Sequence, residues 1–472
     1  MLENAPPMKP LKIFYILLTT NILIITCALT FPNEGIHIKN VTLRFLSFQD
    51  WMGGDTSTKS IDEVLPHFDL SQLSSDTSMF AMDLDTMEED HITQIQYNET
   101  AAREFVAFFK QLETANEGTE PLRIVHYGDS QIEGDRISSV LREQFQSTYG
   151  GAGAGMIPVD EPCQSRSSIQ IKTGGNWERK QVFGPKSGKL ANGQYGVLGF
   201  SHRFSKADFD SLATDTAKAQ IFLSPMYTAF KRASEYQYLK VLYRTTGHAS
   251  LSIDGNEHAL SNNGNVMLTA YAVEGKEHRL DFENTHGLEV FAMMVDGKSG
   301  VAVDNVAIRG SSGLIFSKMD EKHLREQYKQ LNVGLIIYQF GVNVIPNIRE
   351  EYSYYQKQIS RELAVLKSLN PGVPVLVVGP SDMSRKKDGN YVSYPNIPLI
   401  IEAQKEAAEA NGCAFWDLYD AMGGLNSMPV WVNAQPSLAQ KDHIHFSTKG
   451  ANVVGQKLFQ AIKMMEYNLE LL

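Results

Sequence analysis

The chain of 472 residues is predicted to be an α/β protein in three layers. Helices cover both faces of a parallel sheet, an antiparallel β-sandwich is inserted into that domain, and a membrane-length apolar segment stands at the N-terminus. Three textures predict this. Residues 304–472 alternate helix-length and strand-length patterns, the rhythm of βα units feeding a parallel sheet. Residues 161–303 show little helical periodicity and many short strand-like runs divided by turn signals. Ile13 to Phe31 is a largely apolar run, about 20 residues being what a bilayer core requires, and Lys9 and Lys12 precede it.

From Glu99 onward, Ala102, Phe105, Phe108, Phe109 and Leu112 recur at helical spacing. The apolar run Leu122 to Val125 predicts a strand that ends in Gly128-Asp129-Ser130, a turn ahead of a helix over Ile137 to Tyr149. Strands of the insertion are expected at Ala219–Leu223, Tyr238–Tyr243, His248–Ile253, Val266–Ala272, His278–Phe282 and Leu288–Val295, with Asp254-Gly255-Asn256 and Asn262-Asn263-Gly264 as turns. Beyond Gly310 the expected order is helix Leu314–Leu331, strand Val333–Phe340 and helix Tyr352–Leu369, stopped by Asn370-Pro371-Gly372. Strand Val373–Val378, helix Ile397–Ala410, strand Ala414–Leu418 and helix Thr448–Tyr467 follow. Pro32 to Asn98 is polar, with the acidic patch Asp83 to Asp90. It is expected to be a linker or stalk whose islands, Leu43–Trp51 and Ile61–Phe68, pack locally.

The apolar N-terminal run is expected to be a signal anchor or a signal peptide. No Ala-x-Ala cleavage pattern follows it, which favours an anchor in the inner membrane and an extracytoplasmic, periplasmic or cell-envelope location for the rest. Cys27 lacks the small residue that a lipoprotein signal places before it, Thr26 standing there instead. With three cysteines in all, Cys163 and Cys413 are too few for a disulfide scaffold. A formal charge of -11 and no basic cluster exclude nucleic acid as a partner.

The chemistry is concentrated in two short stretches, Gly128-Asp129-Ser130-Gln131 and Asp442-His443-Ile444-His445. A serine hydroxyl is a poor nucleophile at neutral pH, so it needs an imidazole to take its proton and a carboxylate to orient that imidazole. Ser130, His445 and Asp442 are the candidates. Val306 to Ser311 and Gln339 to Asn343 each close an apolar run, where a parallel sheet presents loops on the same edge as Ser130. Asp442, His443 and His445 are also metal-ligand types, but no second ligand cluster joins them and no metal or cofactor is expected. Asp129 is assigned to the turn, and Glu133, Asp135 and Arg136 to a helix start. Gln131 and Arg136 are either substrate contacts or surface groups.

Together these four stretches, carrying Ser130, Gly310, Asn343 and His445, resemble the four sequence blocks of the SGNH (GDSL-type) hydrolase superfamily. The phrase Gly300 to Gly310 and the insertion between the first two blocks resemble bacterial peptidoglycan O-acetylesterases, which carry a carbohydrate-binding-module-like jelly roll there. The likeness spans Arg123 to Leu458. It implies that Ser130 is the nucleophile, His445 the general base and Asp442 its orienting carboxylate. The Ser130 and Gly310 backbone N–H groups and the Asn343 amide would form the oxyanion hole, with Gly313 as the neighbouring competitor of Gly310. Two positions depart from the pattern: Val344 follows Asn343 where Asp is common, and Gln131 follows Ser130 where Leu or Ile is common.

On this resemblance, 99–160 and 304–472 form the hydrolase domain, 161–303 the inserted β-sandwich, 32–98 a linker and 1–31 the signal segment. The implied function is that of a serine esterase of the cell envelope, removing O-acetyl or other short acyl groups from a carbohydrate polymer such as peptidoglycan. An O-acetyltransferase using the same acyl-enzyme and a non-catalytic glycan-binding protein are the alternatives. Trp177, Phe200, Tyr227, Tyr236 and Tyr238 are either sugar-stacking aromatics or sandwich core.

Overall fold

A computed structural model describes residues 92–161, 166–204, 217–261, 263–284 and 287–471, with 59–66 and short pieces of the first 43 residues. The chain divides into two units, Met1–Ser60 with Lys386–Asn390, and Ile61–Arg385 with Tyr391–Leu472. In the smaller unit Ile36–Ile38 pairs antiparallel with Val41–Leu43.

The expected membrane anchor over Ile13 to Phe31 is corrected here, and the anchored envelope location that rests on it falls with it. Among the described residues no helix is long and apolar enough to cross a membrane. Among the described residues there, Thr19 Oγ1 donates to the Tyr15 carbonyl and Asn21 Nδ2 to the Leu17 carbonyl, both at 2.8 Å. Residues 13, 14, 16, 22–25 and 27–31 lie outside the described residues, as do Cys27, Cys163, the island beyond Leu43 and the acidic patch Asp83–Asp90.

The larger unit is built on a five-stranded parallel sheet in the order Val301–Ala307, Leu122–Gly128, Val333–Gln339, Val375–Val378, Ala414–Trp416. Side chains alternate across its strands and build a separate core on each face. Ile124, Leu335, Ile337, Leu376 and Val378 face helices Glu99–Thr114, Ser138–Tyr149 and Thr448–Glu470. Val125, Tyr127, Ile336, Tyr338 and Val377 face Glu321–Tyr328, Ser353–Leu369 and Ile397–Ala410. Both faces being covered, the strand of Ser130 is buried at all seven positions.

Between the first two strands in sequence, two antiparallel sheets pack on each other through a third core that includes Ile221, Leu223, Leu251, Phe282, Val241, Met293 and Val295. Strand Glu289–Asp296 is buried along its whole length because its faces meet different partners. Val290, Met293 and Val295 enter the sandwich core, while Phe291, Ala292 and Met294 pack with the parallel-sheet domain. The two parts are also joined by charge. Arg123, on the strand of Ser130, bonds Asp304 at 2.9 Å and Asp296, and Lys240 reaches Asp296 at 3.0 Å. Both carboxylates are fully buried and Arg123 is nearly so.

The helix expected over Leu314 to Leu331 is shorter, Glu321–Tyr328, preceded by a single 3-10 turn at Phe316–Lys318. Asp320 caps it by accepting the His323 N–H at 2.7 Å, and the buried Glu362 carboxylate takes the Ile315 and Ser317 amides at 3.1 Å, which holds that stretch out of the helix. The insertion has strands that periodicity misses, among them Ile169–Gly175, Trp177–Gln181 and Phe200–Phe204. Trp177 packs edge-on against Phe204 and Phe282, and Tyr236 is buried, so both belong to the sandwich.

Candidate active site

Three adjacent strands deliver the first three sequence blocks to one edge of the sheet. Gly128 is level with Ala307 on one side and Gln339 on the other. Ser130 lies two residues past that line, Gly310 three and Asn343 four. Beneath the turn a buried polar network crosses the same strands: His126 Nε2 meets Gln339 Oε1 at 2.9 Å, His126 Nδ1 meets Ser138 Oγ at 3.0 Å, and Asn305 Nδ2 donates to Ser138 Oγ and to the Ile132 carbonyl. Burial pushes the His126 imidazole down to about 4, against its bond to Gln339, so it is neutral at physiological pH and acts as a brace. Sequence patterning assigns no role to this histidine; a polar residue directly after the apolar run Leu122 to Val125 is the signal that marks it.

Ser130, His445 and Asp442 come together. Ser130 Oγ stands 2.8 Å from His445 Nε2, and His445 Nδ1 stands 2.7 Å from Asp442 Oδ2. With a carboxylate on Nδ1, the tautomer set by the network carries its proton there, leaving Nε2 to accept from the serine hydroxyl. The other oxygen of Asp442 accepts the Ile444 and His445 N–H groups at 2.9 and 3.0 Å, so one side chain shapes the loop and orients the ring. Burial works to raise the Asp442 pKa, but the bonds from the His445 ring and from these amides hold it below the ordinary carboxylate value. Ser130 is 8% exposed, while the His445 side chain is one-quarter exposed, which leaves the pair reachable from solvent.

His443 does not join the pair. It stacks on Tyr391 with ring centroids 3.5 Å apart. Among the described residues no group of three or more His, Cys, Asp or Glu is arranged to hold a metal ion.

Gly310 and Gly313 are told apart by their surroundings. Both have positive φ, but a Cβ on Gly313 would come 2.1 Å from the Tyr338 hydroxyl, whereas the nearest atom to one on the exposed Gly310 is in the Phe183 ring at 3.3 Å. Gly313 is therefore a packing position, and Gly310 faces outward. Asn343 is exposed, and its Nδ2 donates to the Ser311 carbonyl at 2.9 Å, joining the loops of the second and third blocks.

Asp129 is buried beside Ser130 and accepts the Gln131 N–H at 3.0 Å. Burial pushes its carboxyl up to about 7, against the Gln131, Gly341 and Val342 amides and the Asn343 side chain, which pull it down. Its folded pKa thus exceeds the unfolded one, so its contribution to stability is complete below about pH 4 and is lost as pH rises through about 7. Asp129→Asn should flatten that decline, and its stability relative to wild type should grow between pH 4.5 and 7.5 in urea titrations. Parallel stability curves for the two proteins would refute the assignment.

A cavity of about 450 Å³ adjoins the pair, lined by Arg136, Asp442 and His445 together with Ser167 of the insertion, Arg309 and Asn452. The Ser167 N–H donates to the Gly134 carbonyl at 3.0 Å, so the insertion reaches the rim. Of the aromatics named above, Tyr227 is 94% exposed, next to Thr228, whose hydroxyl donates to the Ser167 carbonyl.

Neither a protein-family model nor a curated protein matches the sequence. Solved structures do. One of a peptidoglycan O-acetylesterase superposes with a TM-score of 0.62 at 18% identity, covering 80% of this chain and 99% of that one. A family two carbohydrate esterase from Clostridium thermocellum in complex with cellohexaose has a TM-score of 0.25 at 10% identity, over 59% of this chain and 99% of its own. Another from Cellvibrio japonicus has 0.24 at 10%, over 65% and 98%. The first of these carries the likeness, and at that identity it is a likeness of fold: the chain has the fold of a solved peptidoglycan O-acetylesterase.

Proposed function

We propose that this chain is a serine esterase that removes O-acetyl or other short acyl groups from a carbohydrate polymer such as peptidoglycan. The observation that carries the reading is the continuous Ser130–His445–Asp442 chain of hydrogen bonds at 2.8 and 2.7 Å. It is supported by a fold shared with a peptidoglycan O-acetylesterase. His445 Nε2 takes the Ser130 proton as Oγ attacks the ester carbonyl, and Asp442 balances the imidazolium that forms. The Ser130 and Gly310 N–H groups and the Asn343 amide receive the developing oxyanion. His445 then protonates the departing sugar oxygen, water enters by the same steps in reverse, and acetate leaves.

The test is acetate release from O-acetylated peptidoglycan, with and without an added saccharide acceptor. Release that depends on Ser130 supports the esterase. Acetyl transfer to the acceptor in preference to water would convert the reading to a transferase, and glycan binding with no turnover would reduce it to a binding protein.

Asn343→Ala should lower kcat by about 100-fold or more, the loss associated with one oxyanion donor. A change confined to KM would reassign Asn343 to substrate positioning.

A further inference from the structure

Two side chains that the chemistry above does not use tie the nucleophile turn to the histidine loop. Gln131 is buried, and its Nε2 donates to the Ile444 carbonyl at 2.7 Å and to Ser381 Oγ at 2.8 Å. Arg136 donates from Nη2 to the Ser130 carbonyl at 2.6 Å, from Nη1 to the Phe446 carbonyl at 3.3 Å and from Nε to the Glu133 carbonyl at 2.9 Å. Ile444 and Phe446 are the residues on either side of His445. The carbonyls of the residues on either side of His445 are therefore both held by side chains of the segment that carries Ser130. Gln131 is also the position where this chain departs from the apolar residue of the sequence pattern.

We propose that Gln131 and Arg136 form a clamp of positioning residues that sets the separation and angle between Ser130 Oγ and His445 Nε2. The proposal rests on the esterase reading above. Asp442 fixes the internal shape of the histidine loop through the Ile444 and His445 amides, but those bonds lie within the loop and leave its distance from Ser130 free. The clamp ties the loop directly to the segment of Ser130, while the Ser384 N–H on the His443 carbonyl, the Gln440 amide on the Phe446 carbonyl and the buried Phe446 ring hold its other sides. Arg136 is suited to it because a planar guanidinium donates in several fixed directions at once, here to three carbonyls, whereas an ammonium on a flexible stem acts as a point charge. Proton transfer in the attack needs heavy atoms near 3 Å and aligned, and a misplacement of about 1 Å costs on the order of 100-fold in rate.

The experiment uses the full chain as wild type, Gln131→Leu, Arg136→Ala and Arg136→Lys, with kcat and KM for an aryl acetate measured separately. The rate of covalent Ser130 labelling by a phosphonofluoridate and the thermal midpoint are followed in parallel. Arg136→Ala is expected to lose about 100-fold in kcat and in labelling rate with KM little changed. Millimolar methylguanidine should recover part of that loss, and Arg136→Lys should stay close to the alanine variant. Gln131→Leu should lose about 10-fold in the same pattern.

Rates equal to wild type in folded variants, a loss confined to KM, or a loss matched by the unfolded fraction would overturn the clamp while leaving the esterase standing. Should Arg136→Ala fail to fold, Gln131→Leu and Arg136→Lys decide by the same criteria. Absence of Ser130-dependent turnover and labelling in the wild type would remove the esterase reading and the clamp with it.

Discussion

Ser130→Ala is expected to abolish ester turnover, by about 10⁴-fold or more, while the protein stays folded. The Oγ bonds His445 Nε2, and its loss leaves a methyl group in a site that keeps its remaining contacts. His445→Ala should fall by a similar factor, since without a base the hydroxyl is not deprotonated as it attacks. The informative measurement is the double variant. Residues acting as one unit are strongly non-additive, so Ser130→Ala/His445→Ala should be no slower than either single change. Two losses that multiply, or turnover that persists in both single variants, would mean that the two residues do not act on one reacting centre.

The second large effect is on stability. Arg123, Lys240, Asp296 and Asp304 form a buried set of two cations and two carboxylates. Asp304 also accepts the Met156 N–H at 2.6 Å, which satisfies another group of the strand that joins the sandwich sheet. Asp296→Ala leaves Arg123 and Lys240 facing one carboxylate away from water. The expected cost is about 3–5 kcal/mol, the range for breaking a buried pair by removing one partner. Urea titration should show a lower midpoint with an unchanged slope. The sign should differ when the whole set is replaced by apolar residues of similar volume, a change that is often neutral or better. A cost for Asp296→Ala below about 1 kcal/mol would show that water or another group reaches the cations.

Short, local patterns are the most legible part of the sequence. The Gly128-Asp129-Ser130 turn, Asn343 and the Asp442 to His445 loop stand out because each gathers its polar groups within a few residues, and the structure brings Ser130, His445 and Asp442 together. The parallel-sheet strands were legible as apolar runs, since both faces are covered. Two edge strands of the insertion were not: Ile169–Gly175 and Trp177–Gln181 carry Lys172, Thr173, Glu178 and Lys180 on open positions, so no strict alternation marks them. Arg123 and Asp304 stand 181 residues apart as single charges inside apolar runs, and only the fold makes them partners. The same holds for Gln131 and Arg136, which take their meaning from carbonyls more than 300 residues away. The N-terminal segment shows the opposite error, in which composition suggested a span that no described helix provides.

The central position of Leu122–Gly128 in the sheet has a consequence for synthesis. Its neighbours, Val301–Ala307 and Val333–Gln339, are both translated about 180 residues or more after it. At about 5–20 residues per second, the strand spends roughly 10 to 40 s on the ribosome with its backbone groups unpaired and its apolar side chains uncovered. The sandwich can close its own antiparallel hairpins during that wait, but the sheet that carries Ser130 cannot. Nascent chains arrested at residue 300 should therefore be cut by protease near Val125 and bind holdase chaperones, and the full-length chain, with the helices that cover both faces of the sheet, should lose both properties. In this protein Ser130 is set in place late, by residues made long after it.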